Sequence, residues 1–321
     1  MTHSLADLAL FCHVALASQP WRFEPSLMPM PWQPIAPSSL PKRLKIGVMW
    51  HDGMVQLHPP VYAALRHTVD VLRAAGHLIV DWDPKHQKKT FDWINKAYFL
   101  DGGDEYRSHL LPASDPPVPI VKYLLDTHAT KRYTLEETWA LNTEHDALRV
   151  LHAEQMRATG VDVILCPVAP SVAAGHDEAR HWAYSAVWNA LDLPGVVMPV
   201  RRVEEGCTYE AVGLERLELM SEMDEYYAEL WKQGGAEKYR DAPTSVQLVG
   251  ERLQEERLLA VAEVVEGLLV QTRTKMGVVN GDSPVADVVA PAKHSVKSVD
   301  PASSKMAPDA RIEVTEVYTG Q

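Results

Sequence analysis

Residues 44–50 read LKIGVMW, residues 77–82 read HLIVDW, and together with the stretch between them they decide the fold. Both are short runs rich in apolar residues, as in buried strands. The intervening segment has a proline pair at residues 59–60, repeats apolar residues at helical spacing, and closes at Gly76. This order predicts a strand, a helix and a second strand, which form a parallel βαβ unit with helices packed on the sheet.

Three further apolar stretches extend this pattern toward the C-terminus. Residues 161–166 and 195–200, each next to a proline, are predicted as buried strands, and residues 244–249 as another strand. Helical spacing predicts helices at residues 182–191 and 253–269. Because strands alternate with helices, the chain is predicted to be of the α/β class.

The remaining middle of the chain carries helical and charged segments. An aromatic stretch at residues 84–115 is predicted to be helical, and residues 120–159 are predicted to form two helices. Residues 201–239 are charged and are assigned no element at this stage.

The N-terminal 41 residues differ in character from the rest. Residues 2–18 place Leu, Ala and Cys side chains on one helical face, which predicts a short amphipathic helix. Residues 20–41 contain seven prolines among aromatic and methionine residues, so this connector is expected to run extended over an apolar surface. Residues 273–321 contain no Leu, Phe or Trp, which favours a disordered tail after an ordered unit at residues 1–272.

Composition excludes several classes of function. With 31 Lys and Arg against 43 Asp and Glu, the net charge is −12, and no basic patch for nucleic acid is present. The longest apolar runs fall far short of the roughly 20 residues that span a bilayer, so no membrane association is expected. The N-terminus lacks the basic segment of a signal peptide, and the three widely spaced cysteines fit reduced thiols. These features predict a cytoplasmic protein.

His51 and Asp52 follow the first predicted strand, at the end where α/β proteins bind ligands. An imidazole held by a carboxylate there could act as a base. Adjacent residues rarely face each other, so a loop in which this pair is solvated is the alternative.

Three other patterns are weaker. Cys166 ends a buried strand ten residues before His176, which would allow a nucleophile pair, but a buried structural thiol is the commoner situation. His176 and His181 lie five residues apart, off the helical spacing of a zinc site, so no metal is expected. The aromatic set at residues 91–106 could line an apolar pocket, although such a helical face is usually core.

Four stretches and the N-terminal segment carry a further signal. They are KIGVM at 45–49 with GHLIVDW at 76–82, DVILCPVAP at 162–170, WNALDLPGVVMP at 188–199 and DAPTSVQLVGERLQEER at 241–257, together with residues 1–35. In this order the stretches resemble the C-terminal half of amidase-signature enzymes, and the chain most resembles the fungal acetamidase-like members. Residues 1–35 are similar to the segment that follows the signature in that family.

This resemblance implies a layered α/β/α fold with a mixed, mostly parallel sheet that is incomplete relative to the family fold. It also implies hydrolysis of carboxylic amides by a serine nucleophile, a second serine on a cis peptide and a lysine, with no cofactor. The matching serine and lysine motifs are not in this sequence, so no catalytic residue is assigned. Trp188, Asn189 and Pro194, together with His51 and Asp52, are the candidates for a substrate pocket.

Three functions remain open at this point. The chain could be an amidase-like protein that is inactive alone, an amidase completed by an N-terminal extension or a partner chain, or a non-hydrolytic binding or accessory protein. A mis-started reading frame would look the same as a genuine truncation. In each case a half-fold is expected to expose a strand edge and an apolar face, which a second copy or another chain would cover, while the ligand would be a small amide or acyl compound.

Overall fold

A computed structural model describes residue 2, residues 4–110 and residues 116–275 of the chain. The ordered unit was predicted to end at residue 272, and the last helix runs to Lys275. The rest of the predicted tail, residues 276–321, lies outside the described residues.

The core of the protein is a five-stranded sheet with the strand order β2-β1-β3-β5-β4. β1 pairs in parallel with both β2 and β3, and β5 pairs antiparallel with both β3 and β4. Four of these five strands therefore point in one direction, which confirms the mixed, mostly parallel sheet. The strands are β1 Lys45–Val48, β2 Leu78–Asp81, β3 Val163–Pro167, β4 Gly195–Arg202 and β5 Pro243–Val249.

The helices cover the sheet in two groups. α2 and α10 pack on each other and on the sheet, while α7 packs on α3 and lies against Cys166 of β3. Every residue of β3 is buried, as expected for the central strand of a layered α/β fold. The helices are α1 Leu5–Ala17, α2 Pro59–Ala74, α3 Gln87–Ala97, α4 Asp104–Leu110, α5 Pro119–His128, α6 Leu135–Thr159, α7 Ala183–Ala190, α8 Glu222–Lys232, α9 Gly235–Lys238 and α10 Glu255–Lys275.

The predicted βαβ unit is confirmed as β1, α2 and β2. α2 begins at the proline pair, because N–H groups in the first turn of a helix have no partner within the helix and proline lacks this group. The chain reverses direction after α2, at Gly76. Gly76 has a φ of +90°, a conformation that strongly favours glycine. The two helices predicted within residues 120–159 are α5 and α6, and the aromatic stretch before them is divided into α3 and α4.

The charged segment at residues 201–239 contains two helices that the sequence analysis did not assign. α8 has a strong start signal, because the Ser221 hydroxyl accepts a hydrogen bond from the Asp224 N–H at 3.0 Å. Acidic residues fill its first turn, where the helix dipole favours them.

α1 forms where predicted, but it is not amphipathic. Its predicted apolar face is half-buried and the helix packs on α10, yet the opposite face carries Leu10, Phe11 and Val14, which are 59%, 71% and 59% exposed. The connector after α1 packs less than expected, since Phe23, Met28 and Met30 are exposed. Within the described ranges, no helix combines the length and apolar content needed to cross a bilayer.

Two buried histidines should make stability depend on pH. Burial lowers the pKa of His58 and of His152 from 6.5 to about 4. Between pH 6.5 and pH 4 these two histidines are protonated in the unfolded chain but neutral in the folded protein. The free energy of unfolding is therefore highest above pH 6.5 and falls as the pH is lowered toward 4. The loss amounts to about 3 kcal/mol for each group.

Replacing His152 by Gln should remove part of this dependence. In urea unfolding between pH 7 and pH 4.5, we expect the slope of stability against pH to fall by up to about 1.4 kcal/mol per pH unit. His13→Gln, at an exposed position on α1, is the control and should leave the slope unchanged. An identical slope in the His152 variant would contradict the prediction.

Candidate functional site

The candidate site lies at the edge of the sheet where β1, β2, β3 and β4 all end. In α/β proteins this carboxyl edge is where ligands bind. The chain leaving β1 crosses this edge as residues 49–58 before α2 begins. It is enclosed by the region before and within α7 on one side and by α8 on the other, through the bonds described below.

Asp52 holds the start of this crossing. Its side chain is buried, and Oδ1 accepts hydrogen bonds from the N–H groups of Met54 at 2.8 Å and Val55 at 2.9 Å. Oδ2 lies 2.5 Å from Nε2 of His181, a histidine just before α7 that is also buried. The carboxylate therefore satisfies two backbone donors and fixes the turn against α7.

Tyr184 of α7 completes this contact. Its hydroxyl donates to the carbonyl of Val55 at 2.6 Å and accepts from the N–H of Asp52 at 3.2 Å. Burial, followed by the charge of Asp52, raises the pKa of the Tyr184 phenol well above its usual value. The raised pKa favours the protonated phenol, which is the form that donates to Val55.

Asp224 of α8 plays the same part from the other side. Its Oδ1 accepts from the N–H of Gln56 at 2.9 Å, and Oδ2 accepts from the N–H of Met220 at 3.1 Å. Arg216 lies 3.1 Å from Oδ2 and donates at 2.9 Å to the Gln56 side chain. A fully buried carboxylate is thus paired and hydrogen-bonded, as its desolvation requires.

His58 closes the crossing. Nε2 of its ring lies 2.8 Å from the carbonyl oxygen of Tyr227. Its backbone N–H donates a hydrogen bond of 2.8 Å to the carbonyl oxygen of Pro170. The backbone from residue 52 to residue 58 is therefore held from α7, from α8 and from the loop after β3.

The structure corrects the expectation that His51 and Asp52 form a solvated pair. Asp52 is buried and bonds His181, whereas His51 is half-buried and accepts through Nδ1 from the Gly53 N–H at 3.0 Å. The Asp52–His181 pair has less than a tenth of either residue exposed, so its role in this chain is positioning. The partner was missed because the two residues are 129 positions apart.

Trp188, Asn189 and Pro194 lie at the other end of α7 from His51 and Asp52. Trp188 is buried, with its ring 6.2 Å from that of His152, and Asn189 is exposed. Pro194 is half-buried, and its carbonyl accepts from the N–H of Gly250 at 3.0 Å. That these three residues and the His51–Asp52 turn line one substrate pocket stays a prediction.

The cysteine and histidine constellations also separate. Burial raises the pKa of the Cys166 thiol far above its usual range, which suits a structural thiol. His176 is exposed, while His181 is occupied by Asp52. Among the described residues, no group of three or more His, Cys, Asp or Glu residues is arranged to hold a metal ion.

Aromatic rings pack against the buried Asp52–His181 pair. Phe91 of α3 packs edge-on against His181 at 5.2 Å and against Trp182 at 5.5 Å. His128 of α5 packs on the far side of this contact, 5.2 Å from Trp182. We call these residues, with the neighbouring Tyr123, the aromatic wall. Sequence analysis noted only the stretch at residues 91–106.

Comparison with a solved structure defines the class of protein. The chain superimposes on a structure named fatty acid amide hydrolase with a TM-score of 0.75 and 27% identity, covering 83% of this chain and 47% of that one. The fold is therefore that of an amide hydrolase with a layered α/β architecture.

The sequence relatives define the family. The Amidase family model matches residues 1–259. Protein C550.07 of Schizosaccharomyces pombe is 36% identical over 83% of this chain and 48% of its own length. The acetamidase of Emericella nidulans is 31% identical over 84% of this chain and 50% of its own length. This chain belongs to the amidase family, and it spans about half the length of the curated relatives it matches.

Asp52 should be a strong determinant of stability. Replacing it by Ala leaves two buried N–H groups and the His181 ring without their acceptor, and we expect the free energy of unfolding to fall by about 3 kcal/mol. Urea unfolding measures the effect. His51→Ala is the matched control next in sequence, and there the loss should stay under about 1 kcal/mol. Equal losses in the two variants would show that Asp52 does not hold the turn.

Proposed function

We propose that this chain is the scaffold half of an amide hydrolase, and that these 321 residues alone do not hydrolyse amides. The observation that carries the proposal is the match of the chain to half of each curated amidase relative. The serine and lysine motifs implied by the family resemblance do not occur in the sequence. The carboxyl edge supports the proposal, because its buried carboxylates and histidines are engaged in hydrogen bonds to backbone groups and to each other.

The expected substrate is a small carboxylic amide with an apolar acyl or aryl part. The aromatic wall offers an apolar surface at the edge of the sheet where ligands bind in this class. The catalytic serines and lysine would come from the other half of the family fold. We further propose that this half functions in the cytoplasm.

The surface that would receive the other half is the outer face of α1 with the connector that follows it. Within residues 1–41 the sequence has three charged side chains of Asp, Glu, Lys or Arg, namely Asp7, Arg22 and Glu24. A helix that is apolar all round belongs in a core, yet Leu10, Phe11 and Val14 are exposed. An apolar patch of this kind marks an interface.

The sheet supports the same arrangement. β4 is the edge strand next to β5, and its residues alternate between buried and exposed positions. Val197 on its outer face is 51% exposed. An exposed β-branched residue on a long edge strand favours cover by further protein.

Complementation tests the proposed function directly. The 321-residue chain should show no hydrolysis of acetamide or an aryl amide above buffer. Mixing or co-expressing it with the half of S. pombe protein C550.07 that it does not match should give hydrolysis. One control is that same half alone. The second is the mixture in which its nucleophilic serine is replaced by alanine, and neither should give hydrolysis. Hydrolysis by the isolated 321-residue chain would refute the proposal.

Charge placed on α1 tests the receiving surface. Phe11→Lys with Val14→Lys should weaken association with the complementary half at least tenfold, because association would bury two unpaired ammonium groups. Both sites are exposed, so the stability of the isolated chain should change by less than about 1 kcal/mol. Trp139→Lys, at a similarly exposed position on α6, is the matched control and should leave association unchanged. Unchanged association of the double variant would place the interface elsewhere.

A further inference from the structure

Arg180 is a half-buried cation held by aromatic rings. Its guanidinium carbon lies 4.6 Å from the ring centre of Tyr226 and 5.1 Å from that of Tyr123. Such stacking stabilises the charge while leaving the planar edge of the guanidinium open to hydrogen bonding. The Nε atom is buried and has no acceptor among the described residues.

The carboxylate two residues before Arg180 in the sequence, Glu178, is already engaged elsewhere. Glu178 accepts from Lys238 at 2.7 Å and from the N–H of Gly175 at 3.0 Å. The strength of this engagement is visible in the pKa of Glu178, which the hydrogen bond from Lys238 lowers. No ion pair in the described part of the chain includes Arg180, so its positive charge is not neutralised locally.

A second donor without an acceptor lies two residues along the chain. The indole Nε1 of Trp182 is buried and makes no hydrogen bond within the described residues. Its ring belongs to the aromatic wall, against Phe91 and His128. Among the described residues, Arg180 and Trp182 thus place two buried donors without a partner two residues apart beside an apolar surface, and a buried donor without a partner calls for an acceptor.

We propose that Arg180 and the aromatic wall form a binding site for a carboxylate that carries an apolar aryl or acyl group. The planar edge of the guanidinium would take the carboxylate oxygens, and the rings of Trp182 and Tyr123 would take the apolar group. Such a ligand is either the acid released from an amide or an amide substrate with a second, ionised carboxyl. Its place in hydrolysis rests on the proposed function, whereas the binding itself does not.

Calorimetric titration of the 321-residue chain with phenylacetate and with phenylacetamide tests the site. The two compounds share one shape and differ in charge. We expect phenylacetate to bind more tightly, and Arg180→Gln to weaken its binding at least tenfold while leaving phenylacetamide unaffected. Arg240→Gln, which removes an exposed arginine paired with Glu237, is the control and should change neither affinity.

A conservative variant separates recognition from folding. Arg180→Lys keeps the charge but loses the planar fork, so phenylacetate binding should weaken several-fold while the melting temperature stays near that of the wild type. Equal affinity of wild type and Arg180→Gln for phenylacetate, or no binding to the wild type, would overturn the site. Neither result depends on hydrolysis, so each is distinguishable from a failed complementation.

Discussion

The rest of the structure depends on two buried carboxylates that hold the backbone between β1 and α2. Residues 52–58 leave the sheet at its carboxyl edge, and all of them except Gly53 are buried, where N–H groups need acceptors within the protein. Asp52 and Asp224 accept from four backbone N–H groups, three of them in this crossing and its immediate start. Without these acceptors, each buried N–H group would lack a hydrogen bond, which lowers the free energy of unfolding by about 1–3 kcal/mol. The path into α2, and with it the βαβ unit, follows from this constraint.

The same constraint decides where chemistry can occur. A histidine beside a carboxylate is a pattern that often serves catalysis. Here Asp52 and His181 instead hold the backbone after β1, and aromatic rings pack against them. The ligand surface that we propose is instead the aromatic wall, with Arg180 next to it. In that proposal the buried network positions the backbone, and side chains on α3, α5 and the segment before α7 recognise the ligand.

The N-terminal helix supports the proposal that this chain is one half of a longer fold. α1 has the composition of a core helix and packs on α10, yet Leu10, Phe11 and Val14 on its other face are exposed in the described part of the chain. The edge strand β4 repeats the pattern with an exposed apolar residue on its outer face. Both features agree with a chain that matches half of each amidase relative. They are the surfaces on which we propose that the other half of the fold packs.

Much of the fold could be predicted because its signals are local. The proline pair and Gly76 bound α2, and the alternation of apolar runs with helical spacing indicated all five strands. The antiparallel direction of β5 could not be predicted, because strand direction is fixed by which neighbours a strand meets. α8 was missed although Ser221 and its acidic first turn are a recognisable start signal.

In the candidate site, less could be predicted from the sequence than in the fold. The sequence by itself determined the α/β class, the amidase resemblance and the position of His51 and Asp52 after β1. Only the tertiary structure decided that Asp52 bonds His181 rather than its neighbour, and that Trp188 packs in the core at the far end of α7. The reason is physical: periodicity and capping act over a few residues, whereas the partner of a buried charge is chosen among groups that folding brings together from distant parts of the chain.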